Sequence, residues 1–315
     1  MTTHHLYLLE QLNAAAGYFI RADRCLFTKK TRYQELALYE SAHFGKFLCL
    51  DHLFMTSEAD EFFYHENLIH PAAMTHPAPQ SALIIGGGDG GAAEEVLKYP
   101  TIEQVVLAEL DEEVIEVCRQ HLGTIHCGAF DDPRLKLVIG DGRAYLENTS
   151  AQFDLIILDL TDPQGPSLNL YTQEFYQRCK QHLTAAGLVA LHVESPIARP
   201  TTYARLVTTL RQVFPMVRPY LVYIPLYGTL WGMATASESS DPCTLTAAEV
   251  EQRIATRGVS DLRFYNGQTH QGVFALPNFI RTLLSQPLTP LTDGNTTLEE
   301  EPPTSRLKII PYTYT

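Results

Sequence analysis

The sequence predicts an α/β protein in which a doubly wound, mostly parallel sheet follows a small antiparallel β domain. Three observations carry this. From about residue 77, short apolar runs (SALIIGG, EQVVLAEL, RLKLVIGD, QFDLIILDL) alternate with helix-length amphipathic segments (AAEEVLKY, EEVIEVCRQHL), the pattern of strands covered on both faces by crossover helices. Residues 17–55 read instead as consecutive short strands, YFIRADRCLFTKKT, YQELALYES and GKFLCLDHLFMT, with turn signals at Gly45 and Asp51 and no helix between them. Hydrophobic residues form 45% of the 315 and charged residues 19%, which suits one large or two unequal folded domains and excludes a disordered chain.

In chain order, SEADEFFYHENLIH (57–70) predicts a connecting helix with an acidic first turn that ends before Pro71. The glycine-rich turn and the apolar strands follow. GLVALHVES extends the sheet, and MVRPYLVYIP and LWGMATAS lie close enough in sequence to pair antiparallel. From Pro287 the composition turns to Thr, Pro and Glu, as expected of an extended or mobile tail, although its last residues, LKIIPYTYT, are apolar enough to dock. This divides the chain into residues 1–70, a β domain with its connecting helix; 71–286, the catalytic domain; and 287–315, the tail.

A formal net charge of −13 opposes a grip on phosphate backbones or anionic lipid, so neither nucleic acid nor membrane is expected as a partner; a cationic small ligand suits it better. The six cysteines form no CxxC pair and no zinc-type spacing with histidine, so most are read as reduced packing residues and no metal site is expected; Cys118 is read as buried and inert. The first twenty residues lack a basic segment followed by a clean apolar run, and no apolar stretch approaches 18 residues, which points to a cytoplasmic location.

The chemistry gathers at strand ends. The first apolar strand runs into Gly86, Gly87, Gly88, Asp89, Gly90 and Gly91 and then a helix, where an open α/β sheet receives a nucleoside. The next strand ends at Glu109, about 20 residues on, where a carboxylate can accept from both ribose hydroxyls. Asp141 with Gly142, then Asp159, close the following two, so four successive strands deliver an acid to one rim. Asp89 inside the glycine loop would repel the carboxylate of S-adenosylmethionine but welcome a ligand with only an amine there, such as decarboxylated S-adenosylmethionine.

GGGDGG, AELD, GDG, LDLTDPQGP, the upstream DEFFYHE and the later FALPNF, in this order and spacing, resemble the polyamine aminopropyltransferases, the spermidine synthase family, from about Gln34 to Phe279. The resemblance implies a Rossmann-like, methyltransferase-type domain with a small N-terminal β domain, in a homodimer or homotetramer. It implies contacts to the methylthioadenosine part of the cosubstrate from Gln34, Glu109, Asp141, Gly142 and Pro166, beside Gly86 and Gly88 of the loop. His65, Asp89 and Asp162 fall where the family holds amines, and Asp159 at its proton acceptor. Decarboxylated S-adenosylmethionine is a cosubstrate, so no cofactor is expected. An amine with a pKa near 10 must shed a proton before it attacks the methylene next to the sulfonium, and Asp159 is placed to take it.

Tyr64 and His65 are neighbours on a helix and point about 100° apart, so at most one is expected to face the pocket. Tyr227 in PLYGTL resembles the family's tyrosine against the attacking amine, and the unique Trp231 reads as core. Two departures fall in the acceptor region. Met55 in LDHLFM stands where the family commonly has glutamine, and IPLYGTLWG replaces the usual PTYPSG turn and is similar to the corresponding thermospermine synthase segment. Putrescine is the expected acceptor, giving spermidine; spermidine as acceptor, giving spermine or thermospermine, is the alternative. Further from the residues stand a methyltransferase using intact S-adenosylmethionine and a noncatalytic polyamine-binding protein.

Overall fold

A computed structural model describes residues 6–300, which form three sheets. Strands β1 (Leu6–Gln11) and β2 (Gly17–Ala22) make a hairpin; β3 (Arg24–Lys30), β4 (Glu35–Ser41), β5 (Gly45–Leu50) and β6 (Leu53–Ser57) make an antiparallel meander. The sequence reading merges β2 with β3 and misses β1. Asp23 separates the two strands: its N–H donates to the Glu40 carbonyl (2.8 Å) and its carboxylate accepts from the Ala42 N–H (2.7 Å), so the chain changes sheets there. In β1 the buried side alternates as expected, but a carboxylate, Glu10, follows Leu8 on that face and breaks the apolar pattern.

Helix α1 (Glu61–Thr75) starts later than predicted and runs through Pro71. Residues 57–60 are its cap, in which the Ser57 hydroxyl donates to Asp60. Proline inside a helix removes one N–H and leaves the carbonyl four residues back without its partner. That carbonyl belongs to Asn67, and the buried Tyr220 hydroxyl donates to it at 2.7 Å, so a tertiary contact satisfies what the helix cannot.

The central sheet contains β7 (Ser81–Gly86), β8 (Gln104–Glu109), β9 (Leu135–Ile139), β10 (Phe153–Asp159), β11 (Leu183–His192), β12 (Met216–Ile224) and β13 (Thr229–Ser237), in the order β12-β13-β11-β10-β7-β8-β9. The first five are parallel; β12 and β13 pair antiparallel as expected. The crossover helices are α2 (Gly91–Leu97), α3 (Glu112–His121), the short α4 (Gly123–His126), α5 (Gly142–Asn148), α6 (Gln173–Gln181) and α7 (Pro200–Val213), followed by α8 (Ala247–Arg257), α9 (Gly267–Val273) and α10 (Asn278–Leu283). Continuous apolar strands bury alternate residues on opposite faces. Ala82 and Ile84 pack with α1 and α2, whereas Leu83 and Ile85 pack with α5, α6 and α7. Each leucine or isoleucine among them contributes roughly 1.5–3 kcal/mol by leaving water.

The chain winds outward from β7 to β9 and returns to β10 on the other side of β7, so the crevice opens between β7 and β10, whose ends pair Gly86 with Asp159. All six cysteines are free thiols, but Cys25, Cys127 and Cys243 are exposed, so only half are the buried packing residues expected; Cys118 is fully buried. Residues 287–300 are extended and fastened to α6 and α7 rather than loose; LKIIPYTYT lies outside the described residues.

Tyr220→Phe should cost about 1–3 kcal/mol, because it strands the Asn67 carbonyl in the core while changing shape little. Urea unfolding measures it, and an unchanged stability would mean that the helix accommodates Pro71 without help.

Candidate active site

The carboxyl ends of β7, β8 and β10 open onto a cavity of about 1010 Å³ lined by Gly86, Gly87, Gly88, Asp89, Glu109, Asp141, Gly142, Asp159 and Pro166. Gly86 takes φ +80°, and a Cβ there would lie 2.1 Å from the Asp159 carbonyl oxygen, which accepts the Gly87 N–H at 2.9 Å. At Gly91 a Cβ would lie 2.3 Å from the His65 ring. These two glycines therefore seat protein groups, while Gly86 to Gly88 also border the cavity.

At the end of β8, Glu109 accepts the Asp111 N–H at 2.9 Å. Asp111 in turn accepts from Thr31 (2.7 Å) and from the Gln34 side chain (3.0 Å), which carries Gln34 from the β3–β4 turn to the rim. Asp111 is absent from the sequence prediction, although AELD contains it two residues past Glu109. Asp141 caps α5, accepting from the Arg143 and Ala144 N–H groups at 2.8 and 3.4 Å. Burial lifts the Glu109 pKa to about 7.

Tyr64 and His65 both line the cavity, which corrects the expectation that only one would. The crevice wraps the first turns of α1, so side chains 100° apart reach it from two directions. His65 Nδ1 lies 2.9 Å from Glu61 and Nε2 lies 3.4 Å from Asp89. Burial disfavours the imidazolium, but the two flanking carboxylates outweigh it and hold the His65 pKa well above its ordinary value. Burial also opposes charge on Asp89, and the His65 imidazolium more than offsets it, so Asp89 stays ionised. Asp159 is different: burial, reinforced by the Asp89 charge, pushes it up to about 7, and its Oδ2 has no hydrogen-bond partner.

Asp162 does not line this cavity. It borders a chamber of about 30 Å³ with Glu10, His192 and Trp231, sharing Met55, Tyr64 and Tyr227 with the larger space. Asp162 lies three residues past the end of β10 at Asp159, where the chain has left the sheet, and opens onto the smaller chamber instead. Glu194 completes this acidic end, paired with Arg199 at 2.6 Å. Glu194 adopts φ 68°, a left-handed conformation that costs a non-glycine residue about 1 kcal/mol or more. Burial and the neighbouring acids raise the pKa of both Glu10 and Glu194 to about 8, Glu194 doing so against Arg199. Trp231, read as core, is core and also chamber wall, with its indole N–H unpartnered. Tyr227 donates to the Met55 carbonyl at 2.6 Å, joining the two departures noted in the sequence.

Sequence reasoning missed Glu10, His192 and Glu194. The last two sit at the end of β11 and obey the strand-end rule used for the other acids; Glu10 was detectable as a carboxylate on the inward face of an alternating strand.

Two family models match the chain: the spermine/spermidine synthase domain over residues 61–246 and the spermidine synthase tetramerisation domain over residues 10–58. A polyamine aminopropyltransferase of Nitrosomonas europaea is 49% identical over 92% of this chain and 89% of its own, and polyamine aminopropyltransferase 2 of Hyperthermus butylicus is 45% identical over 81% and 85%. The crystal structure of a spermidine synthase in complex with the transition state analogue AdoDATO superposes with a TM-score of 0.84 at 35% identity, covering 90% of this chain and 96% of that one. The spermidine synthase of Thermotoga maritima gives 0.83 at the same identity and coverage. The chain belongs to the spermidine synthase family.

It is thus an aminopropyltransferase, with the parallel-rich sheet and antiparallel N-terminal region of that family. Among the described residues no helix is long and apolar enough to cross a membrane. In this family member His65, Asp89 and Asp159 bring ligand-type atoms within 4.8 Å of one another, the geometry of a small metal site. His65 would have to give a ring lone pair to a metal, but both its nitrogens are engaged by Glu61 and Asp89 as an imidazolium.

Gly91→Ala should force the His65 ring from between its two acids and cost about 1–3 kcal/mol. Denaturant unfolding at neutral pH checks this, and wild-type stability would mean that the ring has room to move aside.

Proposed function

We propose that this aminopropyltransferase moves the aminopropyl group of decarboxylated S-adenosylmethionine onto putrescine, releasing spermidine and 5′-methylthioadenosine. The observation that carries the acceptor is the small acidic chamber beside the main cavity. Beyond Met55, Tyr64 and Tyr227 the space ends after about 30 Å³ against Glu10, Asp162 and Trp231, room for one ammonium-sized group with carboxylates around it. A diamine fits with its far ammonium in the chamber. Spermidine needs space for a further aminopropyl arm. Met55 offers that arm an apolar wall, which is what favours spermidine as the second reading.

In this reading Gln34, Gly86, Gly88, Glu109, Asp141, Gly142 and Pro166 hold the methylthioadenosine part, and Asp89 holds the aminopropyl ammonium. His65 keeps Asp89 ionised, Tyr64 and Tyr227 orient the acceptor, and Asp162 faces its far end. The attacking ammonium gives its proton to Asp159; the freed lone pair forms the N–C bond as the C–S bond breaks, and the sulfonium leaves as neutral thioether with the electron pair. A base with a pKa near 7 suits this step, since a large fraction is ionised at neutral pH and it is still basic enough to accept a proton. The reaction needs no covalent enzyme intermediate. We further propose assembly as a homodimer or homotetramer through the N-terminal sheets, in the cytoplasm.

Asp159→Asn should lower kcat at least about 10²-fold with methylthioadenosine binding nearly unchanged. In the wild type, kcat/KM for the amine should fall as pH drops through about 7, where Asp159 takes up a proton. Tyr64→Phe should move that limb to higher pH, because the phenol holds the Asp159 pKa down. A limb that stays in place in the variant, or near pH 4, would assign the proton to another group.

Across putrescine, cadaverine and spermidine, kcat/KM should be highest for putrescine, with cadaverine reduced by no more than the roughly 10–200-fold that one methylene is worth and spermidine lowest. Glu10→Gln should raise the putrescine KM. Equal or better use of spermidine would transfer the assignment to spermine or thermospermine synthesis.

A further inference from the structure

We propose that residues 287–300 form a strap that closes the Asp141–Pro166 end of the nucleoside cavity, with Asp293 as its positioning residue. The inference rests on the reading that this cavity binds methylthioadenosine. The segment lies beyond residue 246, where the match to the synthase domain ends.

The strap is fastened along its length. The Leu291 side chain is fully buried, its N–H donates to Thr209 (2.9 Å), and its carbonyl accepts the Gln173 N–H (2.9 Å). Arg205 donates to the carbonyls of Thr289 (2.9 Å) and Thr297. The Glu300 carboxylate accepts the first N–H groups of α7, from Thr201 (3.0 Å) and Thr202 (2.9 Å), where the helix dipole favours an anion. Between these anchors, Thr292 and Asn295 exchange backbone hydrogen bonds around an Asp293–Gly294 turn.

The tip of that turn reaches the cavity. Asp293 grips Arg143 through two parallel contacts of 2.9 and 2.5 Å, and Thr172 donates to the same carboxylate at 2.7 Å. Arg143 also donates to the Asn169 carbonyl at 3.2 Å, so one guanidinium ties the start of α5, the turn over 165–170 and the strap together. Arg143, Asn169 and Asp293 all line the cavity beside Asp141 and Pro166. Arg143 follows Asp141 by two residues. Without Asp293 its guanidinium keeps only the Asn169 carbonyl and a 3.4 Å contact to Glu147, and can turn toward the Asp141 carboxylate and compete with the ligand for it. The strap thus keeps an acceptor open and the turn carrying Pro166 in register.

Calorimetry of methylthioadenosine binding to the full-length wild type, Asp293→Asn and Arg143→Met, together with steady-state kinetics, tests this. Asp293→Asn should weaken methylthioadenosine binding and raise the KM for decarboxylated S-adenosylmethionine by about three- to tenfold, the modest size expected of a pair open to solvent. The amine KM and kcat should stay within about twofold. Arg143→Met combined with Asp293→Asn should bind no worse than Asp293→Asn alone, because the competing cation is gone. Failure of the wild type to bind methylthioadenosine would overturn the reading of the cavity. Wild-type binding with an unchanged constant in Asp293→Asn, or a parallel loss of kcat and amine KM, would overturn the strap.

Discussion

Two buried carboxyl groups side by side resist being ionised together, and a cation placed beside one of them decides which carries the charge. Asp89 and Asp159 meet this constraint at the crevice between β7 and β10, and His65 resolves it. At an effective dielectric constant of about 20, unit charges 4 Å apart interact by about 4 kcal/mol, several times thermal energy. The imidazolium spends that interaction on Asp89, leaving Asp159 with burial and a negative neighbour. One acid becomes a fixed anion and the other a base near neutrality.

Much of the surrounding structure serves to hold α1 where His65 can do this. Glu61, one turn before His65, braces the other ring nitrogen. Glu66 accepts three consecutive N–H groups, from Arg263, Phe264 and Tyr265, at 2.6–2.9 Å. Arg257 donates to the Ala73 and His76 carbonyls at the far end of the helix, and Tyr220 repairs the gap at Pro71. The acceptor side is fixed by a second set of stitches around the β12–β13 turn. Tyr18 donates to the Leu226 carbonyl, Leu226 N–H to Asp60 and Tyr227 to the Met55 carbonyl, each at 2.6 Å. The N-terminal sheets therefore build one wall of the site and contribute Glu10 to it.

The sheet and its rim were legible because they follow from period and position: apolar runs fix buried parallel strands, and an acid at each carboxyl end needs no long-range information. The glycine loop, Glu109, Asp141 and Asp159 were found this way. What failed depended on contacts distant in sequence. Pro71 looked like a helix end because Tyr220, its remedy, lies about 150 residues on. The 100° between Tyr64 and His65 predicts that one faces away, yet the cavity reaches both, and Asp162 lies past the end of β10, where periodicity no longer sets direction. The tail read as loose for the same reason: Thr209, Arg205 and Gln173, which fasten it, belong to other elements.

The most direct test of this charge division is difference infrared spectroscopy of the ligand-free protein carrying ¹³C-labelled aspartate carboxyls, titrated from pH 5 to 9. One carboxyl band should titrate with a midpoint near 7 and be missing from Asp159→Asn, while Asp89 stays ionised across the range. Replacement of Asp89 by Asn should lower the midpoint, since the anion that helps raise it is removed. An Asp159 midpoint at the ordinary carboxylate value near 4, or one indifferent to Asp89, would contradict the account.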